Sequence, residues 1–324
     1  MRETLAAMRT IVGVIAVATA TVWAPAAADA QSYPSRPINM IVPFPPGGNT
    51  DIMARALQNE ISRKLGQTVV IINKGGAAGT LGMIELARAA PDGYTIALAP
   101  NNPLTAQPHV QKLPYGSNSF RYVCLTYYAP YVLIAGPQAP FKTFEEFVKF
   151  AKAKPENLVY GHPGVASQPH LGMLAVLKAI GADALGVPFT GAGPMAHALL
   201  SGTVMAITET PAVAAASNLA VLAALSEARI PALPDVRTMK ELGYPATAFT
   251  AGGVIGPASV PAATLDILET ACADATASAE YKAIAARLNV EARYLSGENF
   301  RKLFETDSAE NAEAIRRSGL AGSK

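Results

Sequence analysis

Charge is scarce in this chain and evenly divided. Only 15% of its 324 residues are charged, 26 Lys and Arg against 24 Asp and Glu. That balance excludes disorder driven by self-repulsion and a basic nucleic-acid footprint. Cysteine is nearly absent, Cys124 and Cys272 being the two present. They are too few for a disulfide scaffold, and with no CxxC, Cys/His cluster or HExxH spacing a zinc site has no ligands. Whether the two cysteines pair stays open, and two buried thiols is the preferred reading, because a sequence carries no distance between them. Nucleotide motifs are missing as well. Gly76, Gly79 and Gly82 are spaced three apart rather than as GxGxxG, and no GxxxxGK[ST] brings a lysine onto phosphate, so no cofactor is expected. Repeats of 20 to 50 residues are also absent, which excludes a solenoid.

Apolar residues make up half of the chain, and their longest run lies at the start. Arg2 and Arg9 precede an apolar stretch over 11–22, and Ala28-Asp29-Ala30 supplies a small-x-small pattern before Gln31. About a dozen apolar residues fall short of the roughly 20 that cross a bilayer, so the segment reads as an export signal cleaved after Ala30. The expected location is the periplasm.

From residue 38 a pattern recurs of a short apolar strand, a Gly- or Pro-rich turn and an amphipathic helix, which is an α/β signature. Strands are expected over 38–42, 68–72, 94–99, 131–135, 158–160, 187–190, 204–208 and 221–226. Helices are expected over 49–65, 80–90, 143–153, 168–180, 194–200, 262–277 and 297–317. In the first helix Met53, Leu57, Ile61 and Leu65 recur every four residues and Gly66 ends it. Two α/β lobes follow, with the signal over 1–30, a first lobe over 31–134, a second over 135–250 and a return to the first over 251–324.

Three strand-to-helix turns suit the approach of an anion to backbone N–H groups. They are Phe44-Pro45-Pro46-Gly47-Gly48-Asn49-Thr50-Asp51, Gly75-Gly76-Ala77-Ala78-Gly79-Thr80, and 161–170 with Gly161, Gly164, Ser167 and His170. Glycines remove side-chain bulk, and a helix start offers unpaired donors at the positive end of its dipole. In open α/β sheets, ligands lie at such carboxyl ends of strands. Any one of these turns is equally an ordinary capped connection; three of them across two lobes favour a cleft. Ser167 and His170 are close enough in sequence to meet on a helix, which leaves a secreted hydrolase as an alternative, although no GxSxG surrounds the serine and it reads better as a helix cap. His109, His162, His170 and His197 have no metal spacing. Glu209, ending a strand before Pro211, either accepts a hydrogen bond from a ligand or caps the next turn.

These features together resemble the substrate-binding proteins of tripartite tricarboxylate transporters, the Bug family of periplasmic solute receptors. The resemblance spans the mature chain and rests on Pro46-Gly47-Gly48-Asn49-Thr50-Asp51, Leu65-Gly66-Gln67, Gly76-Ala77-Ala78-Gly79, Pro91-Asp92-Gly93-Tyr94-Thr95 and Val187-Pro188-Phe189. It implies a two-lobed, type II periplasmic-binding-protein (Venus-flytrap) fold with a hinge between lobes, no catalysis and no cofactor. The implied partners are a small organic carboxylate (a di- or tricarboxylate, an aromatic acid or an amino acid) and membrane transporter subunits, with no nucleic acid and a monomeric state. Carried onto matching positions, the implied ligand contacts are Phe44, Gly48, Asn49, Thr50, Asp51, Ala78, Gly79, Gly161, Gly164, Ser167 and His170. Asn101, after the strand over 94–99, is added as a side-chain contact. Thr190, His197, Ala251, Pro163 and Glu209 depart from the residues common in relatives, and Glu209 bears on which acid is bound. A sensory receptor for the same ligands is the third reading. Gly48→Val and Gly164→Val are expected to block binding and spare the fold.

Overall fold

The computed structural model describes residues 33–321. The export signal expected over 1–30 lies outside the described residues. In chain order the first group of elements is β1 (Ile38–Val42), α1 (Asn49–Leu65), β2 (Val69–Asn73), α2 (Thr80–Ala87), β3 (Thr95–Pro100), the short helices α3 (Asn102–Thr105) and α4 (Gln107–Val110), and β4 (Phe120–Pro130). The second group is β5 (Val132–Ala135), α5 (Phe144–Ala153), β6 (Val159–His162), α6 (Gln168–Ile180), β7 (Leu185–Pro188), α7 (Ala192–Leu200), β8 (Ala206–Glu209), α8 (Pro211–Ala216) and β9 (Ala220–Ala224). The chain closes with β10 (Phe249–Pro257), α9 (Ala262–Ala277), α10 (Ala279–Arg287), β11 (Glu291–Ser296) and α11 (Gly297–Arg317).

The strands form two sheets, one per lobe. The first runs β11-β4-β10-β3-β1-β2 and the second β7-β6-β8-β5-β9. In the first, β1 is parallel to β2 and β3, while β10 returns antiparallel between β3 and β4. In the second, β6 is parallel to β7 and β8, and β5 is antiparallel to β8 and β9. This is the two-lobed α/β architecture expected from the sequence. The first crossing sits at Tyr131 rather than at 135, because residues 132–135 already pair with β8 and β9. Phe249 begins the return.

Each sheet is covered on both faces. Met53, Leu57 and Ile61 of α1 pack with Leu268 and Ala271 of α9 and Tyr281 of α10 on one side of the first sheet, and Met83 of α2 with Phe300 and Phe304 of α11 on the other. On the second sheet, α5 and α6 bury Phe144, Phe147, Met173 and Val176, and α7 buries Met195 and Leu199 on the opposite face. The four-residue spacing of the α1 core positions places them on one face, and Gly66 ends the helix in the left-handed region at φ 65°.

Cys124 of β4 and Cys272 of α9 are joined in a disulfide, with Cα atoms 6.5 Å apart. This corrects the expectation of two free thiols. The return segment that follows the second lobe lays α9 across β4, which brings together positions 148 residues apart in sequence.

Closing so long a loop restricts the unfolded chain, so a Cys124→Ala/Cys272→Ala double variant should lose about 2–5 kcal/mol of stability. Urea unfolding of the variant against the oxidised wild type measures this.

A candidate ligand cleft between the two sheets

The turns after β1, β2 and β3 lie on one edge of the first sheet, since these strands are parallel. The turn after β6 and the end of β8 lie on one edge of the second. The two edges face each other: the Asn102 side chain, just after β3, donates to the Ala166 carbonyl at 3.0 Å, and Gln168 reaches Thr105 at 3.3 Å.

In the first-lobe turn, Gly48 is the N-cap of α1 and provides no side-chain acceptor. The first helical backbone bond is Ile52 N–H to Gly48 O at 3.0 Å, so the amides of Asn49, Thr50 and Asp51 have no backbone acceptor. Gly48 and Asn49 are exposed. Asp51 had been expected to touch ligand, and its side chain instead turns inward. Its carboxylate accepts from Gly47 N–H, Arg55 Nε and Asn73 Nδ2, each at 2.9 Å. Burial pushes the Asp51 carboxyl up, but these donors outweigh it and hold it below the usual range. Asn73 also donates to Phe44 O at 3.0 Å, so it braces the whole turn. Sequence reasoning placed Asn73 in a turn without giving it a role.

The second turn packs directly on the first, since a Cβ on Gly79 would meet the Phe44 ring at 3.1 Å. Ala77 and Ala78 both adopt positive φ, 46° and 55°, followed by Gly79 at 90°. Consecutive left-handed alanines cost roughly 1–2 kcal/mol each. They aim successive amides toward solvent, a concavity suited to an anion. Ala78 is exposed, and neither alanine amide has a backbone acceptor among the described residues.

The second-lobe turn is built differently, because it satisfies its own donors. Ser167 caps α6 by accepting from His170 N–H, and its hydroxyl donates to Gly164 O at 2.8 Å. His170 Nδ1 accepts from Ala166 N–H at 3.1 Å, which places the ring proton on Nε2, 3.1 Å from the Tyr160 hydroxyl. His162 Nδ1 donates to Gly164 O at 2.9 Å, and the two imidazoles stack with centroids 3.8 Å apart. Burial, with His162 adding to it, depresses His170 to about 4. Both ring nitrogens of His170, a residue expected to contact ligand, are therefore occupied in shaping the loop. The serine hydroxyl does not meet the imidazole, so the pair needed for a hydrolase is not assembled. Gly161 lies inside the sheet beneath Phe189 and Met195 rather than on the cleft wall.

Asn101 is likewise drawn away. It is buried at 1% exposure and donates to Phe249 O and to Asp307 at 3.1 Å. Asp307, on α11, is itself buried, and Gln168 and Asn101 converge on it while Asn311 and Gln168 bond Thr105. Burial raises the Asp307 carboxyl. This knot joins α3, α11 and the first turn of α6, and so ties the lobes together beside the cleft. No local motif marks Asp307, because its partners come mainly from two distant segments, 101–105 and 168.

Glu209 stays where it was expected. It ends β8, pairs in register with Val132 beside the crossing, and is 8% exposed. Its carboxylate accepts Thr210 N–H at 2.8 Å, and burial pushes it up to about 7. Tyr131 and Tyr127, both buried, continue from Glu209 toward the first lobe, Tyr131 beside Thr250 and Tyr127 beside the Thr50 side chain. A separate groove of about 900 Å³ lies between α6 and α11, lined by Leu174, Lys178, Glu310 and Glu313 among others. It contains none of the turn residues.

The described fold is matched by known proteins. Residues 53–320 match the model of the tripartite tricarboxylate transporter family receptor. The chain belongs to that family. It is 38% identical to the protein BugT of Bordetella pertussis over 242 residues, covering 72% of this chain and 73% of BugT. Among solved structures, a ligand-free TctC solute-binding protein from Polaromonas is 32% identical with a TM-score of 0.79, covering 88% of this chain and 99% of that one. MatC from Rhodopseudomonas palustris, with bound malate, is 27% identical with a TM-score of 0.74, covering 87% of this chain and all of that one. The protein is thus a solute-binding receptor of a periplasmic family with the two-lobed binding-protein fold.

A Cβ on Gly48 would meet nothing nearer than Pro45 O at 3.9 Å, and its φ of −78° suits any residue. Gly48→Val should therefore stay within about 0.5 kcal/mol of wild-type stability while weakening ligand binding at least about tenfold, as read by calorimetry. Gly164 differs from the earlier expectation. At φ 135° any side chain is strained there, so Gly164→Val should lower the melting temperature as well. For His170, the unfolded chain takes up a proton near 6.5 and the folded chain only near 4. Its contribution to stability is full above pH 6.5 and is lost as pH falls toward 4. Denaturation across this window should show a shallower decline in His170→Gln than in wild type.

Proposed function

We propose that this receptor is exported by cleavage after Ala30 and, as a monomer, captures a small organic carboxylate between its lobes. It then delivers the ligand, chemically unchanged, to the membrane subunits of a tripartite transporter. The observation that carries this reading is the uncapped start of the 17-residue helix α1, whose amides at Asn49, Thr50 and Asp51 face the cleft without acceptors. A helix N-terminus is a ready anion site. Beside it, the amides of Ala77 and Ala78 add further neutral donors, and the turn residues 44–51, 75–80 and 161–170 include no Lys or Arg. Phe44, Gly48, Asn49, Thr50, Ala78, Gly79, Gly164 and Glu209 form the proposed walls, and ordered water completes the contacts. The malate held by the similar MatC supports the carboxylate class.

Lobe closure around the ligand needs only a higher affinity of the closed form.

Thermal stabilisation of the ligand-free protein by carboxylic acids and their amides tests the proposal. Ligand at a hundred times its dissociation constant should add about 2.7 kcal/mol of stability. A saturable shift with an acid and none with its amide is the expected result. Equal shifts with both would remove the anion-binding role of α1.

A further inference from the structure

The cleft is electrically one-sided. Its first-lobe wall presents helix amides and the positive end of the α1 dipole. The second-lobe floor presents a carboxylate, Glu209, at 8% exposure. Two registers fix its place. It is opposite Val132, next to the crossing residue Tyr131, and two positions beyond Ile207, which pairs with Gly161, so it is level with the Pro163–Gly164 turn. It therefore stands on the edge of the second sheet that faces the first lobe. The carboxylate accepts from Thr210, through its N–H at 2.8 Å and its side chain, and from no other neighbour among the described residues. No Lys, Arg or His forms an ion pair with it among the described residues. The buried Tyr131 phenol lies close enough to sense its charge, which helps hold the phenol in its neutral form.

A buried carboxylate without a cation is costly, and protein interiors supply a partner or keep the group protonated. This chain supplies neither a lysine nor an arginine. A second anion brought to Glu209 would be repelled, whereas an ammonium would supply the missing charge and donate to the carboxylate. The line of side chains from Thr50 through Tyr127 and Tyr131 to Glu209 connects the donor wall to the acidic floor. A ligand spanning it meets donors at one end and an acceptor at the other.

We propose that Glu209 is the specificity-determining residue of the cleft and selects a zwitterion, a small carboxylate that also carries an ammonium group. The carboxylate rests on the amides of α1 and the ammonium on Glu209. This rests on the carboxylate-receptor reading and narrows its ligand class.

The test uses the ligand-free receptor and a panel of α- and ω-amino acids, acidic, aliphatic and aromatic, each with its deamino and hydroxy counterpart. Aspartate, succinate and malate make one such set. A thermal-shift screen finds the binding sets, and calorimetry at pH 8 measures each member with wild type and with Glu209→Gln. Glutamine preserves the acceptor for Thr210 N–H, and its unfolding curve checks that the fold is intact. The ammonium-bearing member should bind at least 30-fold more tightly than its counterparts in wild type. In Glu209→Gln it should lose at least 30-fold, while the deamino and hydroxy acids bind unchanged or more tightly. If a deamino or hydroxy acid equals or exceeds the amino acid, or if the preference survives in Glu209→Gln, the assignment of Glu209 is overturned and the carboxylate receptor stands. If no acid in the panel binds folded wild type, both readings fail.

Discussion

Asp51 holds the first-lobe turn in a shape that leaves a helix end bare. An acidic residue in the first turn of a helix commonly turns back to satisfy the local amides. Here the buried carboxylate instead accepts from Gly47, Arg55 and Asn73. Those contacts pin the loop against β2, and Phe44 is held over Gly79 as part of the same assembly. The free amides of α1 and the left-handed alanines of the next turn are therefore one rigid surface. Donors fixed in advance toward a missing partner are what allow neutral groups to hold an anion, since little ordering remains to be done on binding.

The second lobe solves the opposite problem. Its turn is closed on itself by the Ser167 cap and by two stacked neutral imidazoles, so it offers shape rather than donors. Only Glu209 brings charge to that side. Gly48 and Gly164 have similar sequence surroundings but different backbones, φ −78° and 135°, and it is the latter that requires glycine.

Most of the alternation of elements was legible in the sequence. The helix over 49–65 and the helix over 168–180 match α1 and α6 in both ends, because four-residue apolar spacing and a terminal glycine act locally. β4 and β10 were missed for a physical reason. Both lie in the middle of the first sheet and are buried nearly throughout, so neither shows the alternation that marks a half-exposed strand. β10 also carries Gly252 and Gly253, residues uncommon inside strands, which are small here because Tyr127 and the β4 backbone press against them. The site divides along the same line. Backbone donors at Gly-rich turns can be read from neighbours in sequence. The fates of Asp51, Asn101 and His170 depend on Asn73, Asp307 and His162, and for Asn101 the partner is some two hundred positions away.

The disulfide adds a topological property to this architecture. Cys124 precedes the crossing at Tyr131, and Cys272 follows the return at Phe249, so the entire second lobe lies inside the covalent ring. In a chain exported as we propose, the ring cannot close until the second lobe has followed Cys124 across the membrane and Cys272 has emerged behind it. Once it has formed, a protease that cuts any loop of the second lobe leaves both halves of the first lobe joined, and the nicked protein remains one molecule until a reductant reaches that bond.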